Sequence, residues 1–438
     1  MYPSVKHHVV ATCVANMRDH HFSQETVETF IALVFSMDMS KSYPGYRDFV
    51  WVVELHRFGL ELVGLWPTTD KAAKTSNISD LRGCIIFIII AFVCAIPFIC
   101  SLIRVRSDII LVMDNLQVTL PLMVVLLKLI IMRWKQTALL SILNMMANDW
   151  RVFKVDTQRD VMLKWARTAR FIVTCGYIMT GCAVIIAIVF PYFGVPFRRL
   201  SNLTDSDKPL PFQAYYFYDT DPSPQFELTF LFQAITMFLA AVIYTSVDAL
   251  LGLVILHTCG QLENFKDQLA NMAASKNFDS ALRNSVITHV RLIRFTNKIE
   301  DIFALLMLGL VIYFGIVFCL YGFLLLNVMM DEQMSEVPFS RICYVIVGVI
   351  ILLAHTFLYC GAGELMTEHG DAVYQAIYDL DWYKLDSRKS RNLMLLMLRA
   401  SKPFRITAGK VIPLTMATFC SLLKTSAGYT SFLLAKYG

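Results

Sequence analysis

Along the chain, apolar runs of membrane length alternate with polar stretches. The first run without a charge is Cys84 to Ile103, where Pro97 predicts a kink. A short link with Arg104, Arg106 and Asp108 leads to a second run, Ile109 to Met132, which carries Asp114, Asn115, Gln117 and Lys128. Lys128, near one end, is expected to extend its ammonium to the interface, and Asp114 and Asn115, near the other, to meet water or a ligand. Further runs cover Phe171 to about Phe193, Phe226 to Val247, Ile302 to Met330 and Ile342 to Gly363. The last, Val411 to Ala435, has 25 residues and one charge, Lys424, enough to cross about 30 Å of hydrocarbon at 1.5 Å per residue. The pattern predicts an all-α membrane protein with seven transmembrane helices.

The last run carries a second pattern inside the first. Thr418, Ser421, Thr425 and Gly428 follow steps of 3, 4 and 3, so they share one helical face, which continues through Phe432 and Ala435. A polar face at membrane depth meets either a water-filled cavity or another helix. Periodicity alone leaves both open. Before the first span, Phe49 to Leu65 holds Glu54, His56, Arg57 and Glu61, too many charges for a crossing. It reads as an amphipathic helix at the membrane surface, stopped at Trp66 and Pro67.

Composition agrees with this pattern: 56% of residues are hydrophobic, 17% are charged and the mean hydropathy is +0.56, values of a polytopic membrane protein. The net charge of +5 is spread over several segments, which argues against a nucleic-acid partner and bears instead on orientation. Segments 133–170, 257–298 and 364–402 hold 8, 6 and 6 Lys or Arg residues, against 2, 3 and 1 in 104–108, 194–225 and 327–341. The positive-inside rule then places the N-terminus in the cytoplasm and the C-terminus outside, inverted relative to G-protein-coupled receptors. The first residues lack the apolar stretch of a cleaved signal peptide. Asn202 of the sequon Asn202-Leu203-Thr204 faces outside, where glycosylation occurs, and Asn77-Ile78-Ser79 faces inside. The chain divides into a cytoplasmic N-terminal segment (1–80), six spans (81–363), to whose outer half the resemblance given below assigns ligand binding, a cytoplasmic helical segment (364–402) and the seventh helix with its lead-in (403–438).

Eleven cysteines show no metal-like spacing, so neither a metal nor another cofactor is expected. No HExxH, P-loop, GxSxG or carboxylate cluster at membrane depth points to an enzyme. A secondary transporter would carry inverted repeats and broken helices, which the two halves do not display. His355, inside the sixth span, reads as a hydrogen-bonded core histidine.

The stretches AVYQAIYDLDWYKL (Ala372 to Leu385) and RNLMLLMLRASKPFRITAGKVIPLTMATFCSLLKTSAGYTSF (Arg391 to Phe432), with GLWP (Gly64 to Pro67), resemble insect odorant receptors. The related gustatory receptors end in a Thr-Tyr and Gln-Phe pattern, where this chain has Gly428-Tyr429. They remain the alternative within ligand-gated channels. The resemblance implies an odorant-gated, non-selective cation channel in the plasma membrane of sensory neurons. It implies a heterotetramer of tuning subunits with a shared co-receptor subunit, surrounded by membrane lipid and opened by a small hydrophobic odorant.

It implies also that the cytoplasmic ends of spans four to seven anchor the tetramer, with Asp381, Trp382 and Tyr383 at the subunit interface. The gate falls near the outer end of the last helix, at Phe432, then Ala435 and Lys436, where a cation departs from the apolar residue expected. Thr418, Ser421 and Thr425 line the pore below it. For the odorant, position alone selects Met113, Gln117, Ile188, Tyr192, Phe230, Gln233 and Tyr344, an apolar set with a few polar groups. Each of these also fits ordinary helix packing.

Overall fold

The computed structural model describes residues 44–67, 73–152, 155–194, 210–212, 214–272, 277–330 and 339–437. Apart from one two-stranded hairpin, its regular elements are helices. They are α1 (Pro44–Leu62), α2 (Ala73–Ile90), α3 (Ile96–Arg104), α4 (Ile109–Trp134), α5 (Gln136–Arg151), α6 (Asp156–Tyr192), α7 (Gln225–Met272), α8 (Phe278–Met330), α9 (Phe339–Tyr378), α10 (Ser387–Ala400) and α11 (Met416–Tyr437). The chain separates into two units, residues 1–53 with 146–153, and residues 54–145 with 154–438. In the described part of the first, the Arg151 guanidinium lies 5.2 Å from the ring centre of Tyr46. Everything below concerns the second.

Among the described residues, six helical stretches are long and apolar enough to cross a membrane: Ile78–Arg104, Ile109–Trp134, Asp156–Tyr192, Gln225–Met272, Phe278–Leu326 and Ile342–Lys384. Each covers all or nearly all of one of the first six expected runs, the fifth stretch ending at Leu326 where the run was expected to reach Met330. The last four have 37, 48, 49 and 43 residues, whereas a bilayer takes about 20, so each joins a spanning part to a polar extension. Within its apolar window α7 is 61% buried and α6 only 6%. The fourth of these stretches is therefore the centre of the bundle and the third its exposed edge. The two meet through hydroxyls, Tyr177 to Ser246 at 2.9 Å and Thr180 to Thr245 at 3.1 Å. Gly59 of α1 comes so close to this pair that a Cβ there would meet the Tyr177 oxygen at 2.0 Å.

Just before Pro97, where a kink was expected, residues Ala91–Ala95 form a π-turn between α2 and α3, and the Ile96 N–H reaches back to the Ala91 carbonyl, one residue farther than in an α-helix. After the link, Asp108 caps α4 by accepting the N–H groups of Ile110 and Leu111 at 2.9 and 3.3 Å.

The polar extensions of α6, α7 and α9 pack together. Trp165 donates its indole N–H to Glu263 at 2.7 Å and meets the His369 ring edge-on at 5.2 Å. Gly260 makes room, since a Cβ there would touch Met162 and Trp165 at 3.0 Å.

The final run is not helical throughout. Thr407–Ala408 and Ile412–Pro413 pair as an antiparallel hairpin, and α11 begins only at Met416. The reading of one continuous helix from Val411 is thus corrected at its start. Pro413 cannot donate a helical hydrogen bond, and Gly409 and Lys410 both have positive φ, 63° and 62°, the turn that two short strands favour. At 22 residues, α11 still extends about 33 Å.

Candidate functional site

The terminal helix has two faces with different partners. On one, Ser426 and Thr430 are buried. Ser426 donates to the Gly315 carbonyl at 3.2 Å, and Thr430 to the Cys319 carbonyl at 3.4 Å and to its own Ser426 carbonyl at 2.9 Å. Gly322 of α8 admits this contact, because a Cβ there would lie 2.8 Å from the Thr430 hydroxyl oxygen. Small and hydroxyl residues at a close crossing are the usual means of helix packing in lipid. On the other face, Ser421, Lys424, Thr425, Gly428, Phe432, Ala435 and Lys436 are all exposed, Phe432 to 62%. Packing and the polar stripe therefore belong to different residues, a division that the 3-4-3 spacing did not reveal. Thr418 stands apart from the stripe. It is half-buried, donates to the Pro413 carbonyl at 2.7 Å, and gives its N–H to the capping Thr415 hydroxyl at 3.3 Å.

The N-terminal end of α11 and its hairpin are held by α9 and α8. Glu364 of α9 accepts the Met416 N–H at 3.1 Å. The Gly409 N–H donates to the Ala304 carbonyl of α8 at 2.8 Å. Thr407 donates to Glu300 at 2.6 Å, and Lys410 pairs with Asp301 at 2.8 Å.

A second polar feature lies inside the bundle. Lys128 is fully buried and pairs with Asp248 of α7, so it does not extend to the interface as expected. Its ammonium also sits 3.4 Å from the Tyr244 ring centre and 3.4 Å from the Tyr244 carbonyl oxygen. A charge at this depth is tolerated only with such partners. His355 donates its Nδ1–H to the Ile351 carbonyl at 2.9 Å and contacts the Tyr244 ring edge-on at 5.5 Å, a bonded core histidine. Asp114 and Asn115, expected near water, are buried as well. Asn115 donates to Ser101 at 2.7 Å and accepts from Thr119 at 2.7 Å.

The residues selected for an odorant fall into three groups. Met113 belongs to a buried cluster with Leu320 and Phe323, against which Leu433 of α11 packs, and Gln117 donates to Asp114 at 2.9 Å. Tyr192, 72% exposed, forms a ring pair with Phe230 at 6.1 Å; Ile188 and Tyr344 are half-buried on α6 and α9. Gln233 is engaged with the polypeptide itself. It accepts the Phe212 N–H at 2.8 Å and donates to the Phe212 carbonyl at 2.9 Å and to Tyr216 at 2.7 Å.

At the anchor motif, Trp382–Lys384 form one 3₁₀ turn. Asp381 accepts from Tyr383 at 3.0 Å and pairs with Lys384 at 2.9 Å. Lys384 draws the Asp381 carboxyl below its ordinary pKa, first through its hydrogen bond. Tyr383 is 66% exposed and Trp382 half-buried. Asn202 lies outside the described residues.

These elements define a multi-pass helical membrane protein whose terminal helix stands on a hairpin. A family model described as 7tm Odorant receptor matches residues 108–427, and the chain belongs to that family, the olfactory receptors of insects. It is 22% identical over 406 residues to Odorant receptor 13a of Drosophila melanogaster, covering 86% of this chain and 94% of that one. To Odorant receptor 10 of Aedes albopictus it is 28% identical over 222 residues, 49% and 57% of the two chains. In fold it is similar to the insect olfactory receptor OR5 from Machilis hrabei in complex with eugenol. The TM-score is 0.76 at 16% identity, over 89% of this chain and 99% of that one.

Proposed function

We propose that the chain is a tuning subunit of an odorant-gated, non-selective cation channel in the plasma membrane. In this reading α11 is the seventh crossing, and four such helices, from this chain and a co-receptor subunit, surround one pore. The supporting observation is the division of labour on α11. Ser426 and Thr430 carry the packing onto α8, and Ser421, Thr425 and Phe432 stay exposed on the other side. Hydroxyls then line the water path, and Phe432, with Ala435 and Lys436 beyond it, forms a constriction that blocks ions by dewetting. The exposed Asp381-Trp382-Tyr383 turn joins neighbouring subunits on the cytoplasmic side, and Asn202 is glycosylated outside.

An odorant held in the outer half, among Met113, Gln117, Ile188, Tyr192, Phe230, Gln233 and Tyr344, acts by favouring one packing of the bundle over another. The cluster of Met113 with Leu320, Phe323 and Leu433 gives it a contact path to the residue beside Phe432. Cysteines placed singly at Ser421, Thr425 and Phe432 are expected to react with water-borne thiol reagents and change the odorant-evoked current. Cysteines at Ser426 and Thr430 are expected to stay silent. Silence at all three stripe positions in a conducting receptor sinks the pore assignment.

A further inference from the structure

Where the hairpin meets α8, the surface folds inward into a cavity of about 270 Å³, at the small end for a ligand site. Arg399, Lys402, Arg405 and Lys410 line it, with Glu300 as the single carboxylate. Glu300 is engaged by Thr407, and Lys410 by the adjacent Asp301, so with Asp301 included four cations face two carboxylates. Arg399, Lys402 and Arg405 make no ion pair among the described residues, and all three are exposed. Like charges gathered in a concavity repel one another, and a multivalent anion relieves that repulsion.

The position of the cavity selects among anions. Glu300 and Asp301 immediately precede the apolar run that starts at Ile302, and the hairpin immediately precedes α11. Two apolar helical runs thus begin beside the cavity, which puts it at the headgroup level in the proposed orientation. Basic pockets at the cytoplasmic ends of spanning helices recruit polyanionic headgroups.

We propose that this cavity binds the headgroup of a polyphosphorylated inositol lipid, whose phosphates contact Arg399, Lys402 and Arg405 while its acyl chains stay in the bilayer. The bound headgroup ties α10 and the hairpin to α8, beneath the terminal helix. The assignment rests on the proposed orientation, in which residues 257–298 and 364–402 are cytoplasmic.

The test uses the full chain in phosphatidylcholine nanodiscs with a photoactivatable phosphatidylinositol bisphosphate, followed by peptide mapping. Label is expected within residues 293–300 and 399–410; label confined to other segments overturns the proposal. Affinity for the same lipid is expected to fall at least about tenfold in Arg399→Gln/Lys402→Gln/Arg405→Gln. It is expected to hold in Arg388→Gln/Lys389→Gln/Arg391→Gln, which removes the same charge from the other end of α10. Equal losses in both variants indicate diffuse attraction and reject a site. Inositol trisphosphate binding there while the lipid leaves no label rejects the lipid as its source. No step reads a current, so these outcomes stand whether or not α11 lines a pore.

Discussion

Tyr216 donates its hydroxyl to the carbonyl of Val93 at 2.9 Å, and Val93 stands four residues before Pro97, which has no N–H to offer that carbonyl. A tyrosine from the segment before α7 thus fills the vacancy made by the proline, and Gln233 holds it there. Phe212 adds an edge-on ring contact to Phe98 at 5.3 Å, and the Arg104 guanidinium lies 3.5 Å from the Tyr215 ring centre. Tyr216→Phe is expected to cost ~1–2 kcal/mol by removing this bond from the part-buried Val93 carbonyl, seen as a lower thermal midpoint of the detergent-solubilised receptor. Gln233→Leu is expected to lower the midpoint further, since it breaks three hydrogen bonds. An unchanged midpoint with a shifted odorant response would make Gln233 a ligand contact and not a strut.

Lys128→Met leaves Asp248 without its partner inside the bundle. The expected loss is ~3–5 kcal/mol, whereas Lys128→Met with Asp248→Asn is expected to recover most of it. The fraction of folded, monodisperse receptor after purification reads both. If the double variant is no better than the single, the pair is not coupled as the geometry requires.

Gly322→Ala places a methyl against Thr430 and is expected to destabilise the α8–α11 contact by ~1–3 kcal/mol. Adding Thr430→Ala should relieve the clash, so that the two changes together cost less than their sum. Additive costs in thermal unfolding would separate the two positions.

His289 is buried on the polar extension of α8, before the apolar run that begins at Ile302. It stacks on Phe265 at 5.7 Å and contacts Phe404 at 5.8 Å. Burial first, and the Arg399 charge second, lower its pKa from 6.5 to about 4. Between those values the unfolded chain binds the proton more readily, so the packing of this segment is intact above about pH 6.5 and weakens as pH falls toward 4. The expected loss from pH 7 to pH 5 is about 2 kcal/mol. Hydrogen exchange across residues 278–298 should quicken over that interval, and His289→Phe should flatten the response.

Run length and charge located the six long helices, because a membrane span needs an uninterrupted apolar stretch and little else. The helical period on the terminal segment grouped Ser421, Thr425 and Gly428, which are exposed, with Thr418, which is half-buried and bonded to Pro413. What spacing cannot do is choose partners. Ser426 and Thr430, one step off the stripe, carry the packing because they meet Gly315, Cys319 and Gly322, residues about 110 positions away. Lys128 read as surface-reaching for the same reason, since Asp248 stands at the end of another run, just past Val247. The signal was present in both charges: two opposite ones at membrane depth on different spans each need a partner. Val411 to Thr415 misled because hydropathy does not register the Gly409-Lys410 turn or Pro413.

The hairpin beneath α11 bears on how that helix can move. Bonds to Ala304, Glu300, Asp301 and Glu364 fix it at or below its first residue, and Ser426 and Thr430 bond it to α8 higher up, so a change of tilt swings α11 about its base together with that part of α8. Over a length of about 33 Å, a tilt of ~5° carries the far tip about 3 Å and the base hardly at all. Phe432 rides near the far tip, and small adjustments in the bundle reach it magnified.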